Sequence, residues 1–344
     1  SQVGLGNMVQ WQTKNHPLEP DSWCLQFATI NFDVSFQEIF TCWAGGGSLV
    51  VATEGQRRDP AALFSILNRR RIVRMNSPVV VLQQLAQYCY ETRQVPKYLK
   101  QVMTSGDALR VTTEVAWMFD RIEEGELHNH YGPSETHLVT AHVLTEADKP
   151  WPQLPSIGKA TRNCQIYIVD DEFKPTPVGV PGELLIGGIQ LHRCYKNRPS
   201  ITAEKLVANP FSKEPGQRLY RTGDLSRFRP DGTIEFMGRI DHQVKIRGFR
   251  VELGEIENAL NVNEFIRNSL VLAPESKPGE KYLVAYVVLM EPDTMSVSQV
   301  KVFLSETLPD YMVPPFIVFL DEFPKMRNGK VDRKALPQPD LEGQ

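Results

Sequence analysis

Apolar residues recur at helical spacing through Leu63, Phe64, Ile66 and Leu67. They follow an Asp59 suited to an N-cap and a Pro60 suited to the first helical position, so the pattern predicts a helix opening at residue 60. A short apolar run at 72–75 reads as a strand, 79–90 as a second helix, and 101–104 as a strand that stops at the turn Ser105-Gly106-Asp107. This βα alternation predicts a mostly parallel sheet. Ligands of such sheets collect at the carboxyl ends of the strands, where loops 105–107 and 129–135 emerge. From Leu154 the texture changes to short strands at 165–169, 182–186, 219–222 and 233–236 between Gly and Pro turns, which predicts antiparallel β or a small barrel. After Gly238 a helix at 253–260, strands at 269–273 and 282–290, a helix at 297–308 and a strand at 316–320 predict a separate unit. The expected fold class is α/β, a parallel-sheet core with a small β-barrel region, followed by a small mobile α+β C-terminal domain. The expected domains are 1–240 and 241–344, divided at Asp241 where periodicity breaks within the polar run 238–243.

Composition narrows the function classes. Thirty-eight Lys and Arg against 41 Asp and Glu give a net charge of -3 with no long run of one sign, which argues against a general nucleic-acid binder and for a small substrate. Cys24, Cys42, Cys89, Cys164 and Cys194 are odd in number, lack any CxxC pair, and read as reduced core thiols of a cytoplasmic protein. No apolar stretch reaches the roughly 18 residues of a membrane helix. Residues 1–11 lack a basic n-region and a cleavage site, and read as the interior of a longer polypeptide.

Four segments carry candidate chemistry. Asn129-His130-Tyr131-Gly132-Pro133-Ser134-Glu135-Thr136 joins an aromatic ring to hydroxyl and carboxylate groups across a Gly-Pro turn; a ring can stack on a base and a carboxylate can hold magnesium. Tyr220-Arg221-Thr222-Gly223-Asp224-Leu225 puts an acid at a strand end, where two acceptor oxygens suit ribose hydroxyls. Residues 238–252 alternate cations between Gly238 and Gly248, and Arg327-Asn328-Gly329-Lys330-Val331-Asp332-Arg333 presents a lysine on a tight turn. Taken singly, the first, second and fourth read equally well as an ordinary polar turn or exposed hairpin, whereas a solvated linker does not explain the two glycines framing the alternating cations of the third.

In this order, and together with Phe32-Asp33-Val34-Ser35, with Gly182-Glu183-Leu184 through Arg198-Pro199, and with Leu308-Pro309-Asp310-Tyr311-Met312-Val313-Pro314, these segments resemble the adenylate-forming superfamily. They are most similar to the amino-acid adenylation domains of nonribosomal peptide synthetases, over essentially the whole chain. The resemblance implies two half-reactions: ATP-dependent conversion of a carboxylic acid to an acyl-adenylate, then transfer to the phosphopantetheine thiol of a peptidyl carrier protein. It implies Lys330 and Glu135 as catalytic groups, with Glu135 on Mg2+. ATP would be held by Tyr131 on adenine, Asn129 on its edge, Asp224 and Arg239 on the ribose, and Ser134 at the phosphate. Asp241 would be the hinge of the small domain, which then presents residues 245–250 to the carrier.

The positions that match the family's amino-acid pocket are Asp33, Val34, Gln37, Met75, Met103, Ser105, His130, Leu138 and Val139, with Lys330 on the substrate carboxylate. A buried Asp33 needs a cationic partner, which favours an α-amino acid, and the apolar lining favours a small to medium apolar side chain. The set is similar to that of proline-activating domains, which makes proline or a close homologue the expected substrate. Three departures stand out, the mildest being Ser134 where the family more often has threonine, which keeps the hydroxyl. The family's glycine-rich phosphate loop would precede residues 3–7 and is not in this sequence, and His192-Arg193-Cys194-Tyr195 replaces Ala-Arg-Gly-Tyr, a change expected to touch only a surface turn. An acyl- or aryl-CoA ligase and a non-catalytic carrier-binding fragment stand as alternatives.

Overall fold

Asp59 accepts from Ala61 N at 2.9 Å and Pro60 takes the first position of the helix Pro60–Arg69, so the local code for this element works as the sequence suggests. The structure, a computed structural model, describes residues 1–240, 243–246, 249–277, 280–326 and 331–339. The chain divides into two units, Ser1–Asp241 and His242–Gln344.

The first unit is built on a sheet of β1 (Trp23–Gln26), β2 (Ser48–Val51), β3 (Ile72–Pro78), β4 (Gln101–Ser105), β5 (Glu126–Tyr131), β6 (Thr140–Leu144) and β7 (Lys159–Ala160), in the order β2-β1-β3-β4-β5-β6-β7. The first five strands are parallel; β6 and β7 are antiparallel additions. The order reverses at β1, which leaves a crevice beyond the carboxyl ends of β1 and β3.

Register decides which side chains face which layer. Leu25, Met75, Val102 and Leu127 stand in line across β1, β3, β4 and β5, and pack with Leu63, Leu67, Leu82 and Leu85 beneath the helices Pro60–Arg69 and Val79–Thr92. Their neighbours Arg74, Asn76, Met103, His128 and His130 therefore point to the other face. Helix α1 (Gln2–Asn15) and helix α2 (Val34–Ala44) supply Trp11 and Gln37 against His130 on that face. Each fully buried apolar side chain is worth about 1.5–3 kcal/mol, so a one-residue slip of β3, which would turn Arg74 into the apolar layer, is excluded.

A second, antiparallel sheet contains β8 (Cys164–Val169), β9 (Gly182–Gly188), β10 (Leu206–Ala208), β11 (Arg218–Phe228) and β12 (Ile234–Arg239), in the order β10-β11-β9-β8 with β12 on β11. Its core of Ile168, Leu184, Ile186, Leu206, Tyr220 and Ile234 also receives Tyr131 from β5 and Val139 from the residue just before β6. The second unit has a three-stranded sheet of Ile266–Leu272, Val284–Leu289 and Phe316–Phe319, packed on the helices Leu253–Asn261 and Val297–Ser305 through Ile256, Leu260, Val271, Ala285, Val287, Val300, Leu304 and Ile317. Cys24, Cys42 and Cys89 are buried free thiols, whereas Cys194 is exposed and departs from the expected core placement. Among the described residues no helix is long and apolar enough to cross a membrane.

Candidate active site

Asp224 owes its position to a defect in the second sheet. Strand β11 pairs with β9 through Leu219, Tyr220 and Arg221 and again from Leu225, and the register shifts between them. The skipped residues Thr222, Gly223 and Asp224 form a bulge, in which Gly223 adopts a φ of 71° that a side chain would disfavour. The backbone groups freed there are recaptured locally: Glu183 accepts from Gly223 N at 3.2 Å and from Arg221 at 2.7 Å, and Thr222 Oγ1 accepts from Asp224 N at 2.9 Å while donating to Leu184 O at 2.6 Å. Bulges redirect side chains, and this one delivers the Asp224 carboxylate to Arg239, its register partner on β12, at 2.8 Å, and to the Tyr131 hydroxyl, which donates to it at 2.5 Å. Burial and the Asp224 carboxylate hold the Tyr131 phenol well above its usual pKa, so it remains a donor. Three of the sequence-predicted nucleotide residues thus form one hydrogen-bonded cluster. The Tyr131 ring itself is 8% exposed, and Asn129 is buried with its amide donating to Ser156 O at 2.9 Å.

Strand β5 ends at Tyr131 and the chain turns sharply. A Cβ on Gly132 would lie 1.7 Å from His137 O, so only glycine fits; Thr136 and His137 both donate their N–H to Pro133 O. Ser134 is exposed at the tip and Glu135 half-buried beside it. Long-range hydrogen bonds of four residues, His137, Gln190, Tyr195 and His192, secure this turn. His137 Nε2 lies 3.0 Å from Asp33 O, Gln190 donates to Leu138 O at 2.5 Å and Thr136 O at 3.2 Å, and the Tyr195 hydroxyl donates to Glu135 Oε1 at 2.6 Å. His192 adds its N–H to Glu135 O at 2.9 Å and its Nδ1 to the same oxygen at 3.2 Å. The His192-Arg193-Cys194-Tyr195 departure therefore abuts the Glu135 turn and is more than a surface change. A hydrogen bond to a charged group is worth about 1.5–3 kcal/mol. Tyr195→Phe is expected to cost roughly 1–2 kcal/mol in urea unfolding, since the Glu135 carboxylate keeps access to water.

The residues expected to form the amino-acid pocket follow β1, as Asp33, Val34 and Gln37 do, or lie on β4 and β5, as Met103, Ser105 and His130 do. Asp33 caps α2, its Oδ1 accepting from Val34 N at 2.8 Å, and it is half-buried, which departs from the fully buried carboxylate expected. Gln37 donates to Gln12 Oε1 at 2.7 Å and lies 3.2 Å from His130 Nδ1. An amide donor there makes Nδ1 the acceptor and leaves His130 Nε2 as a buried N–H with no partner among the described residues, a donor for a ligand. Burial above all, then the neighbouring imidazoles, hold His130 neutral. Met103, Ser105 and His130 share this face of the sheet, on which Gln37 meets His130; Val34 opens α2, and Leu138 is buried just after the Glu135 turn. Met75 does not join them: in register with Leu25 and Val102, it packs into the opposite layer, and Asn76 occupies the pocket side of β3. Val139 packs in the core of the second sheet with Tyr131 and Ile157.

Sequence reasoning passed over Glu38, a wholly buried carboxylate that accepts from Phe27 N at 3.1 Å and from Ala28 N at 3.0 and 3.2 Å, and that is 3.1 Å from Gln26 Nε2. It binds the loop leading to Asp33 onto α2. An acid within the apolar run of residues 34–44 was the available signal. Lys330 and Asp241 lie outside the described residues, as do Arg247 and Gly248 of the 245–250 segment. Magnesium takes one or two carboxylates and keeps several waters, which the single half-buried Glu135 on an exposed turn fits.

Comparison with known proteins places this geometry among relatives. The family model for AMP-binding enzymes matches residues 4–196, and that for the AMP-binding enzyme C-terminal domain matches residues 255–330. Tyrocidine synthase 2 of Brevibacillus parabrevis is 42% identical over 316 residues, 92% of this chain and 9% of that protein. Gramicidin S synthase 2 of Brevibacillus brevis is 44% identical over 320 residues, 93% of this chain and 7% of that protein. The chain thus spans less than a tenth of the length of either. The solved structure of holo-PA1221, a nonribosomal peptide synthetase protein containing adenylation and PCP domains, superposes with a TM-score of 0.81 at 25% identity, over 96% of this chain and 56% of that one. The amide bond synthetase McbA of Marinactinospora thermotolerans, with a TM-score of 0.81 at 21% identity over 97% and 64% of the respective chains, shares the fold.

Proposed function

This chain belongs to the AMP-binding enzyme family, and on that premise we propose that it activates an α-amino acid as its adenylate with ATP and passes it to a carrier-protein phosphopantetheine thiol. In the first step a substrate carboxylate oxygen forms a bond to the α-phosphorus and the bond to pyrophosphate breaks. In the second the thiol sulfur takes the acyl carbon and AMP leaves. Both steps bring anions together, so positioning and charge neutralisation carry the catalysis.

The observation that carries this reading is the bulge-borne Asp224, joined to Tyr131 and Arg239 where β5 enters the Glu135 turn. Asp224 presents acceptors for ribose hydroxyls, with Arg239 and Tyr131 fixing its orientation. Ser134 faces the phosphate chain, and Glu135 holds magnesium, which when bound offsets charge on the phosphates. Lys330 supplies the cation for the substrate carboxylate. Asp241 is the hinge on which residues 241–344 turn to bring 245–250 to the carrier protein.

Asp33 meets the substrate amine. Its attachment to the Glu135 turn through His137 supports a pocket in which amine and phosphate sites are spaced by one rigid connection. With Met75 on the core side, Val34, Gln37, Met103, Ser105, His130 and Leu138 line the pocket and suit a small apolar amino acid, proline first. A non-hydrolysable prolyl-adenylate analogue is expected to bind this chain by calorimetry at least roughly tenfold more tightly than the same analogue lacking the ring nitrogen, and Asp33→Ala to erase the difference. Equal binding of the two analogues to the unaltered chain would overturn the amino-acid reading in favour of an acyl-CoA ligase.

A further inference from the structure

Beneath the amino-acid pocket, on the same face of the first sheet, lies a cluster that the adenylation chemistry leaves unused. Glu126 and His128 stand two residues apart on β5 and so project to one side, and His16 follows the end of α1. One ligand atom from each lies within 4.8 Å of the other two. The His16 and His128 rings are 4.4 Å apart, and His128 Nε2 is 3.0 Å from Glu126 Oε2. His128 is completely buried, and its Nδ1 has no hydrogen-bond partner among the described residues, although a buried ring nitrogen ordinarily finds one. Gln101 donates to Glu126 Oε2 at 3.1 Å, the outer contact that commonly orients a metal-binding carboxylate.

We propose that His16, Glu126 and His128 form a binding site for a divalent transition-metal ion of the zinc type. Two imidazoles and one carboxylate match the ligand preference of zinc, with a fourth position left for water, and do not suit the all-oxygen preference of magnesium or calcium. Glu126 and His16 are only half-buried, so an ion can reach the site from solvent. The Arg74 guanidinium shares Gln101 with Glu126 and donates to His16 O at 2.5 Å, and its positive charge opposes a nearby cation. The Glu126 carboxylate must offset that charge, which makes it the ligand on which affinity depends most. His128 lies 5.7 Å, ring to ring, from His130, so an ion here braces the pocket floor and takes no part in the chemistry.

The test titrates this chain with Zn2+ alone by calorimetry and with Co2+ alone by visible absorption, without nucleotide or amino acid. One equivalent is expected to bind, with the d–d bands of a four-coordinate cobalt site. Glu126→Gln and His16→Gln, both at half-buried positions, are each expected to weaken binding by at least about tenfold with unchanged circular dichroism, and the remote His142→Gln to leave it unchanged. A cobalt spectrum dominated by thiolate charge transfer, or zinc affinity indifferent to Glu126→Gln, overturns the proposal. Because no ATP or amino acid is present, the result is independent of the adenylation reading.

Discussion

Asp224→Ala is expected to weaken nucleotide binding by about a hundredfold and to destabilise the fold by roughly 2–4 kcal/mol. Both effects have one origin. The carboxylate is the shared acceptor of Arg239 and of the Tyr131 hydroxyl, and its side chain is 8% exposed against 15% for Arg239. Removing it takes the Asp224 charge from a guanidinium that is largely out of water and takes its acceptor from the Tyr131 phenol. The partial exposure of Arg239 places the loss below that of a fully buried pair. Asp224→Asn retains shape and one acceptor, and should recover more of the stability than of the affinity. Fluorescence titration with ATP and urea unfolding separate the two. Full nucleotide affinity in Asp224→Ala would remove the ribose contact from the proposed function while leaving the structural account in place.

The second large effect is one of pH. Burial raises the Glu38 carboxyl from 4.5 to about 8, against the pull of the Phe27 and Ala28 amides and of Gln26 toward the ionised form. The sign follows from linkage: below about pH 4.5 the group is neutral in both folded and unfolded chains and costs nothing, between 4.5 and 8 the unfolded chain is ionised while the folded one resists, and above 8 the full cost applies. Stability from this group is therefore lost as pH rises. Unfolding free energies at pH 5 and pH 8 should show the unaltered chain losing about 3–4 kcal/mol relative to Glu38→Gln. Parallel profiles would mean that the three donors outweigh burial and that Glu38 is ionised in the fold.

How far the sequence could be read depended on how local each signal was. The helix beginning at Pro60 announced itself because its cap, its first residue and its apolar stripe all lie within a few positions. Asp224 and Arg239 were legible as members of motifs, yet the bulge that brings them together was not, since it is a mismatch between two strands rather than a property of either. Met75 shows the limit most clearly. Strand β3 is buried on both faces, with Arg74 to Ser77 all inaccessible, so the short alternation of Val73 and Met75 with Arg74 and Asn76 does not by itself say which set faces the pocket. Pairing with β1 and β4 settles that phase, setting Met75 in line with Leu25 and Val102. The contacts of His192, Tyr195 and Gln190 on the Glu135 turn were equally hidden, because they connect segments more than fifty residues apart.

The order of strands in the first sheet also sets the sequence of events by which this unit can assemble. β1 is hydrogen-bonded to β2 on one side and to β3 on the other, with Trp23 opposite both Ser48 and Ile72. As the chain is synthesised, the β1–β2 pair forms with one flank open until β3 emerges, and each later parallel strand waits for its crossover helix to close a loop whose entropy is lost before contacts repay it. Until β3 is in place, Leu25 lacks Met75, its register partner on that strand. Substitutions that weaken Pro60–Arg69 should therefore act on yield and aggregation during synthesis more strongly than on the equilibrium stability of the finished protein.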